Sequence, residues 1–451
     1  MTTATDFGTP ANWWRPAAAQ PRVAGIQAVT APRSTMAFGA LVAFTTILLL
    51  SPQSWFPLLG SLRIAFLAAG IAIAAHLFDR MTHAKDAPPM PGEVLVAVTL
   101  VAWATLTLPL SYWPAGSVAV LTDHYLKAIA FFWLIGTLAT TPDRLRTLAW
   151  TLVLCSIPLA VTGLKNFVVG ETLSTGVAGF TRIYGYAGGS GLTGNPNDLA
   201  LMLNLIIPIA GALAWTSRKP AHRMVALAAL LLSMGAVVVT FSRAGFLTLA
   251  ASALMFMVVL IRRRSAGAAI GLLVLALGAL PLLPEGYVDR LSTITNMEAD
   301  RTGSATGRWE DSKVAVGVVA QNAIIGVGIG QDILAMNQER GATWRQVHNA
   351  YLQYGVDLGI PGLLLFVWLH VMCFRSARAV ERRAARDPAF RDIGFLAAGV
   401  QVSLVAFGVA ALFHPIAYQF YFFSVAGLAV ALKTTCRAEI ARTQPVRGIA
   451  A

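Results

Sequence analysis

Residues 222–261, HRMVALAALLLSMGAVVVTFSRAGFLTLAASALMFMVVLI, decide the fold class of this chain. The apolar runs 222–241 and 244–261 are each close to the roughly 20 residues that an α-helix needs to cross a bilayer. Only the short polar turn Ser242-Arg243 separates them. The stretch therefore predicts two membrane helices joined by a tight turn at one membrane face.

The same pattern extends over most of the 451 residues, of which 56% are apolar and only 12% charged. So few charges argue against a soluble enzyme. Ten further apolar runs of helical length occur, near 36–56, 62–79, 93–110, 117–139, 145–164, 198–216, 266–284, 349–374, 392–413 and 415–433. The sequence predicts an all-α polytopic integral membrane protein with about twelve transmembrane helices.

The distribution of Lys and Arg orients these helices. With a cytoplasmic N-terminus, 23 of the 34 Lys and Arg lie on the cytoplasmic side, which the positive-inside rule favours. Both termini are then cytoplasmic, and the net charge of +13 needs no nucleic-acid partner. The first run has no small-residue cleavage pattern after it, so we interpret it as a membrane helix and not as a signal peptide.

This orientation divides the chain into five segments. Residues 1–35 are a basic cytoplasmic tail, 36–284 hold helices one to nine, 349–433 hold helices ten to twelve, and 434–451 are a second cytoplasmic tail. Two long connections face outward: a Gly-rich and Asn-rich loop at about 165–197, and a larger loop at 285–348. The larger loop is long enough for short helices, and the apolar spacing of 307–320 is helix-like.

Nine Lys and Arg face outward against the positive-inside bias, and the candidates for a specific contact are Arg182, Arg243 and Arg308. A guanidinium stays charged and binds phosphate oxygens with two parallel hydrogen bonds, so a phosphate ligand would explain them. The alternative is that each contacts a lipid headgroup or a nearby carboxylate, such as Asp311 or Glu310 for Arg308.

A motif follows the larger loop, in the segment VHNAYLQYGVDLGIPG at 347–362. His348-Asn349, nine further residues and then Gly359-x-x-Gly362 resemble the signature of bacterial O-antigen ligases, within the wider O-antigen ligase and polymerase superfamily. Two other segments are similar to that superfamily: Phe241-Ser-Arg-Ala-Gly245, and Gly194-Asn-Pro-Asn197 preceded by Arg182. Thr-Gly-Arg at 306–308 lies where such proteins carry a loop arginine.

The resemblance implies an inverting, metal-independent glycosyltransferase of the GT-C type in the bacterial inner membrane, with its site facing the periplasm. The donor would be an O-antigen linked to undecaprenyl pyrophosphate, the acceptor lipid A-core, and the pathway lipopolysaccharide biosynthesis. No cofactor or metal is expected, and no outward DxD motif or His/Cys cluster suggests one.

The residues suit that chemistry. Fixed arginines stabilise a pyrophosphate leaving group, so we assign Arg243 and Arg308 to catalysis and Arg182 to donor binding. A neutral imidazole at His348 would accept the proton of the attacking sugar hydroxyl, and a helix beginning at His348 would disfavour the imidazolium. Five further residues are assigned to substrate binding: Asn195, Asn197, Arg345, Asn349 and Tyr351.

Other polar or aromatic features have plain explanations. We interpret His370 and His414 as structural, and Asp123 with Lys127 as a helical pair or a donor-lipid contact. Gly326-Val-Gly-Ile-Gly330 lacks the strand and helix context of a nucleotide loop. The aromatic residues near the motif suit a membrane-interface belt as well as sugar stacking; they are Tyr184, Tyr186, Trp309, Trp344, Tyr351 and Tyr354.

Two rival functions stay open. A polymerase or a protein O-oligosaccharyltransferase would use the same donor with another acceptor. A transporter would carry acidic or paired charges deep in several spans, and apart from Asp123 and Lys127 the spans are almost free of them.

Overall fold

The structure is a computed structural model that describes residues 34–83, 89–177, 180–189, 191–263, 265–278, 280–296, 300 and 303–443. The predicted tail 1–35 therefore lies almost wholly outside the described residues, and so does the end of the predicted tail 434–451. The described chain is helical apart from one two-stranded antiparallel sheet.

The helices, in chain order, are α1 Thr35–Leu50, α2 Pro57–Ser61, α3 Ile64–Thr82, α4 Gly92–Leu106, α5 Pro114–Val120, α6 Leu126–Leu138, α7 Pro142–Val169, α8 Pro196–Thr216, α9 Pro220–Val239, α10 Arg243–Arg262, α11 Ala266–Gly278, α12 Tyr287–Ser292, α13 Ser304–Gln321, α14 Asp332–Arg340, α15 Ala350–Ala384, α16 Arg391–Ala410 and α17 Phe420–Thr443. The strands are β1 Thr172–Val177 and β2 Phe180–Ile183. A π-helical turn, Leu121–Tyr125, joins α5 to α6.

Every predicted apolar run lies on a helix. Within the described residues, eight helical segments are long and apolar enough to cross a membrane, and α1 and α4 are shorter apolar helices. This confirms a helical protein with multiple apolar spans, whereas the count of twelve stays a prediction. The run 266–284 is shorter than predicted, because α11 ends at Gly278.

The centre of the bundle is α8, which packs against α7, α9, α10 and α16. Nearly all its side chains from Leu199 to Ala214 are buried, as a helix that is apolar on all sides requires. The other large contacts join α6 to α17 and α1 to α3. Three buried cysteines, Cys155, Cys373 and Cys436, are unpaired thiols.

Helix α15 is broken at Gly359, which has φ 68° and ψ −175°. A Cβ there would lie 2.5 Å from the carbonyl oxygen of Ile324, so only glycine fits. The break frees the carbonyls of Val356 and Asp357, which accept hydrogen bonds from the backbone of Val327 and Gly328. The glycine-rich segment 326–330 therefore packs against this break, which agrees with rejecting it as a nucleotide loop.

The long connections come together at one end of the bundle. We call this the loop end and define it by the β1–β2 hairpin, α12, α13, α14 and His348. Helices α13 and α14 form a small apolar core with the start of α15, through Val318, Met336 and Val356. Helix α13 confirms the helix predicted from the spacing of 307–320.

Candidate active site

The turn between α9 and α10 places Arg243 at the loop end. Ser242 caps α10 by accepting a hydrogen bond from the backbone N–H of Gly245 at 3.1 Å. Gly245 is required because a Cβ there would lie 2.8 Å from that of Ala200. Arg243 is thus the first residue of a helix whose N-terminus favours anions.

A buried carboxylate, Asp300, holds Arg243 together with Arg290. Its Oδ2 lies 3.0 Å from Arg243 Nη1, and its Oδ1 accepts a hydrogen bond from Arg290 at 2.9 Å. Arg243 also donates to the hydroxyls of Thr293 at 2.8 Å and Ser304 at 2.7 Å. The side chain of Asp300 is fully buried, so one negative charge serves two guanidinium groups. Neither Arg290 nor Asp300 was predicted from the sequence as a site residue.

Arg182 reaches the same place from strand β2. Its Nε and Nη2 donate to the carbonyl of Thr240 at 3.1 and 2.9 Å, and Nη2 also donates to Asn197 Oδ1 at 2.9 Å. Burial, followed by the charges of Arg290, Arg308 and Arg243, lowers the pKa of Arg182 to about 9. Arg182 therefore stays protonated at pH 7 and lies within electrostatic reach of the other three arginines.

Asn195 and Asn197 organise this corner. Asn195 caps α8 by accepting from the backbone N–H groups of Asn197 and Asp198, both at 2.9 Å. Asn197 Oδ1 accepts from Ser242 Oγ at 2.9 Å as well as from Arg182. Their side-chain carbonyl oxygens thus bond to Arg182, to Ser242 and to the α8 terminus, and the substrate-binding role assigned to both stays a prediction.

Arg308 lies in the second turn of α13. Burial is the main cause that lowers its pKa to about 10, and Arg243 and Arg290 lower it further. In the described part of the chain, its guanidinium has no hydrogen bond or ion pair. The neighbouring Asp311, considered above as its partner, is bonded instead to Arg340 and, at 3.1 Å, to Arg345. Arg308 is therefore a half-buried cation that is available to a ligand.

His348 lies beside Arg308 and is held by its own backbone. Its Nδ1 is 3.0 Å from the carbonyl oxygen of Gln346, and the N–H of Val347 donates to Asp332 Oδ2 at 2.9 Å. A carbonyl can only accept, so Nδ1 carries the proton and Nε2 keeps its lone pair. Burial, then Arg308, lowers the pKa of His348 to about 4, which makes the imidazole neutral at pH 7.

The start of α15 differs from the prediction for His348. The helix begins at Ala350, and Asn349 is its N-cap, accepting from the N–H groups of Tyr351 at 2.9 Å and Leu352 at 3.1 Å. Asn349 Oδ1 is therefore occupied by the helix end. The neutral state of His348 follows from burial and Arg308, with no need for a helix that begins at His348.

Two other predicted binding residues have partners within the protein. Tyr351 donates to the carbonyl of Gly408 at 3.2 Å and packs toward α16. Arg345 pairs with Asp311 and is 48% exposed, so it lies at the rim. Asp123 and Lys127 form the predicted pair at 3.5 Å, but they line a separate lateral groove between α3 and α6.

A second histidine, His414, lies near the site although the sequence suggested only a structural role. It is buried, and its Nδ1 lies 2.9 Å from the carbonyl oxygen of Ala410. Burial is the main cause that lowers its pKa to about 4, and Arg308 and His348 contribute. His414 thus adds a neutral imidazole without adding charge. No local sequence pattern around His414-Pro415 predicts that this histidine lies near the site.

The site therefore brings together Arg182, Arg243, Arg290 and Arg308. Arg243 and Arg290 share the carboxylate of Asp300, and a neutral His348 lies within electrostatic reach of Arg308. Such an arrangement suits a ligand with several negative charges and a reaction in which a proton must be accepted. The described residues include no group of three or more His, Cys, Asp or Glu side chains that could hold a metal ion.

Comparison with known proteins bears on the same residues. The family model described as O-antigen ligase (Wzy_C) matches residues 228–367. The match runs from α9 into α15 and includes Arg243, Arg290, Arg308 and His348, whereas Arg182 and His414 lie outside it. A search of curated proteins finds no match to this chain.

Proposed function

We propose that this chain, a member of the O-antigen ligase superfamily, transfers a polysaccharide from undecaprenyl pyrophosphate to lipid A-core. The site would face the periplasm from the bacterial inner membrane, with both termini in the cytoplasm, in a bundle of the GT-C type. The observation that carries the proposal is a cluster of four arginines, in which Arg243 and Arg290 share the buried carboxylate of Asp300. Arg308, in the same cluster, has no hydrogen bond or ion pair among the described residues, and a neutral His348 that keeps its Nε2 lone pair lies within electrostatic reach of it.

The arginines would bind the donor pyrophosphate. Arg308 has no partner among the described residues, and Arg182 and Arg243 are held in place by Thr240, Asn197, Thr293 and Ser304. Prearranged donors of this kind stabilise charge as it develops, at no cost of reorganisation during the reaction. They would therefore favour departure of the polyprenyl pyrophosphate.

His348 would be the general base. The acceptor hydroxyl oxygen forms a bond to C1 of the donor glycan while the bond from C1 to the pyrophosphate oxygen breaks, and the hydroxyl proton moves to Nε2 of His348. Attack from the face opposite the leaving group inverts the configuration at C1. The proton then passes to solvent, and the pyrophosphate leaves with the bonding electron pair.

Donor binding would also strengthen this base. The charge of Arg308 helps to keep the pKa of His348 near 4 in the free protein. A bound pyrophosphate would offset the arginine charges, so the pKa of His348 would rise toward its ordinary value. A base whose pKa is closer to the working pH accepts a proton more effectively, so the chemistry is favoured once donor is present.

The test is reconstitution of the purified protein with undecaprenyl pyrophosphate-linked glycan and lipid A-core, scored by a gel shift, with and without a chelator. We expect transfer in both conditions. Loss of transfer on chelation would contradict the metal-independent mechanism. Transfer to a second lipid-linked repeat or to a protein, but not to lipid A-core, would replace the ligase by a polymerase or a protein oligosaccharyltransferase. Failure with all three acceptors would contradict glycosyl transfer and favour the alternative of a transporter.

A further inference from the structure

A second cavity opens at the loop end next to strand β2. Its volume is about 670 Å³, and it lies between the end of α7, the β1–β2 hairpin and the segment after α1. It is separate from the arginine site, and the proposed transfer chemistry uses none of its side chains. The side chains that line it include Trp55, Thr162, Lys165, Asn166, Glu171 and Tyr184.

Two aromatic side chains form part of the wall. The indole of Trp55 is 52% exposed, and its ring lies edge-on to Tyr186 with the centroids 5.7 Å apart. Tyr184 lines the same cavity. An indole held in place with an open face is suited to the apolar C–H face of a sugar ring, because its flat surface is amphipathic and loses little conformational entropy on binding.

The polar side chains are balanced in charge. Lys165 and Glu171 pair at 2.7 Å and are about half exposed, so they supply donors and acceptors without net charge. Asn166 is buried, and its Nδ2 donates to the carbonyl of Tyr184 at 3.2 Å, whereas its Oδ1 has no hydrogen-bond partner among the described residues. This chemistry suits the neutral hydroxyls of a carbohydrate, in contrast to the cationic arginine site.

The position of the cavity links it to that site. Tyr184 follows Arg182 by two residues, and the backbone N–H of Tyr184 donates to the carbonyl of Glu171 at 3.2 Å, which continues the hairpin. Two residues of extended chain span about 6 to 7 Å, so the cavity lies next to the strand that carries Arg182. A glycan with its reacting end at the arginines would follow this strand toward the cavity.

We propose that this cavity is a carbohydrate subsite that binds sugar residues of a glycan engaged in transfer. The inference rests on the proposed function, because the reacting centre is taken to lie at the arginine site. The sugars could belong to the donor polysaccharide or to the core oligosaccharide of the acceptor, and the two sources share the same recognition chemistry.

The primary test measures binding of lipid-free glycans and requires no turnover. The two probes are O-polysaccharide released by mild acid and lipid-free core oligosaccharide, each titrated into the detergent-solubilised protein by calorimetry. Trp55→Ala should weaken binding of one probe by about tenfold, whereas Trp55→Tyr, which keeps a flat ring, should bind nearly as the wild type. The matched control is Trp113→Ala, which removes a similarly exposed indole, 56% against 52%, from outside the cavity.

The outcomes separate this inference from the proposed function. The probe that depends on Trp55 identifies the source, and its lipid-linked form should show a raised KM in the transfer assay. Equal binding by Trp55→Ala and Trp113→Ala, or no binding of either probe to the wild type, would overturn the subsite even if transfer occurs. Trp55-dependent binding in a protein that transfers nothing to any acceptor would leave the subsite standing and contradict the glycosyltransferase.

Discussion

The two ends of the bundle differ in how their buried charged side chains are paired. At the loop end, Arg243 and Arg290 share the carboxylate of Asp300, and Arg182 and Arg308 lie within electrostatic reach of both arginines. At the other end, one cation meets one anion. Lys433 Nζ lies 2.7 and 2.8 Å from the two oxygens of Glu93, and Ser376 donates to the same carboxylate.

The Glu93–Lys433 pair has a structural role, whereas we propose that the arginine cluster binds a ligand. Glu93 is fully buried, and its charge is matched within the protein, so this pair joins α4, α15 and α17 and leaves nothing for a ligand. At the loop end, Arg308 has no hydrogen bond or ion pair among the described residues, although it lies in a cluster of four arginines. Because uncompensated buried charge is unfavourable, such a cation favours an anionic ligand there.

Removing the base should have the largest effect on activity. In His348→Ala we expect the transfer rate to fall by about 10² to 10⁴-fold, because the acceptor hydroxyl loses its proton acceptor. Donor binding should persist, since the arginines are intact. The measurement is single-turnover transfer beside a donor-binding titration. His370→Ala is the control, because His370 bonds to the carbonyl of Leu404 and the proposed chemistry does not use it. If His348→Ala turned over at the wild-type rate, His348 would not be the general base.

Breaking the matched pair should affect stability without affecting chemistry. Lys433→Met leaves Glu93 buried without its cation, which we expect to cost about 3 to 5 kcal/mol of unfolding free energy. The unfolding temperature in detergent should fall, while transfer per folded molecule stays near that of wild type. Arg146→Met is the matched control: it breaks an exposed pair with Asp392 at 2.9 Å and should cost at most about 1 kcal/mol. Equal losses in both variants would contradict the structural reading of Glu93 and Lys433.

Removing one arginine charge should weaken donor binding. Arg308→Gln removes the cation without a partner, and we expect donor affinity to fall by about 10 to 100-fold, as for a lost charge-assisted hydrogen bond. Lys313→Gln is the control, since Lys313 is an exposed cation of the same helix that is already paired with Glu310 at 2.7 Å. Comparable donor affinity in these two variants would remove Arg308 from the donor site.

The smallest expected effect is on the pH profile. Since the pKa of His348 is lowered to about 4, the base is deprotonated at pH 7, and kcat/KM should be level from about pH 8 to 5. It should fall as the pH drops through about 4, where half the imidazole is protonated and inactive. In Arg308→Gln the inflection should move upward, because Arg308 is the strongest charge that lowers this pKa. An inflection that stays in place would mean that His348 is not the titrating group.

Sequence patterns predicted one part of the site and missed another for identifiable reasons. Arg182, Arg243, Arg308 and His348 stood out because they oppose the positive-inside bias or belong to a spaced motif. Arg290 also lies in the outer loop, but nothing in the sequence singles it out from the other loop arginines, and Asp300 and His414 carry no such signal. The importance of these residues depends on what folds against them. The roles of Asn195 and Asn349 could have been read locally, since Asn before a helical run is a common N-cap.

Local sequence is enough to identify a helical membrane protein with a charged loop region, because helix length, apolarity and charge bias are properties of contiguous residues. The spacing of Gly359 and Gly362 marks the motif, but the need for glycine at 359 comes from packing, because a Cβ there would lie 2.5 Å from the carbonyl oxygen of Ile324. The state of His348 and the charge surplus at Arg308 likewise arise from residues distant in sequence. Charge interactions and desolvation depend on distance in space, and folding sets that distance.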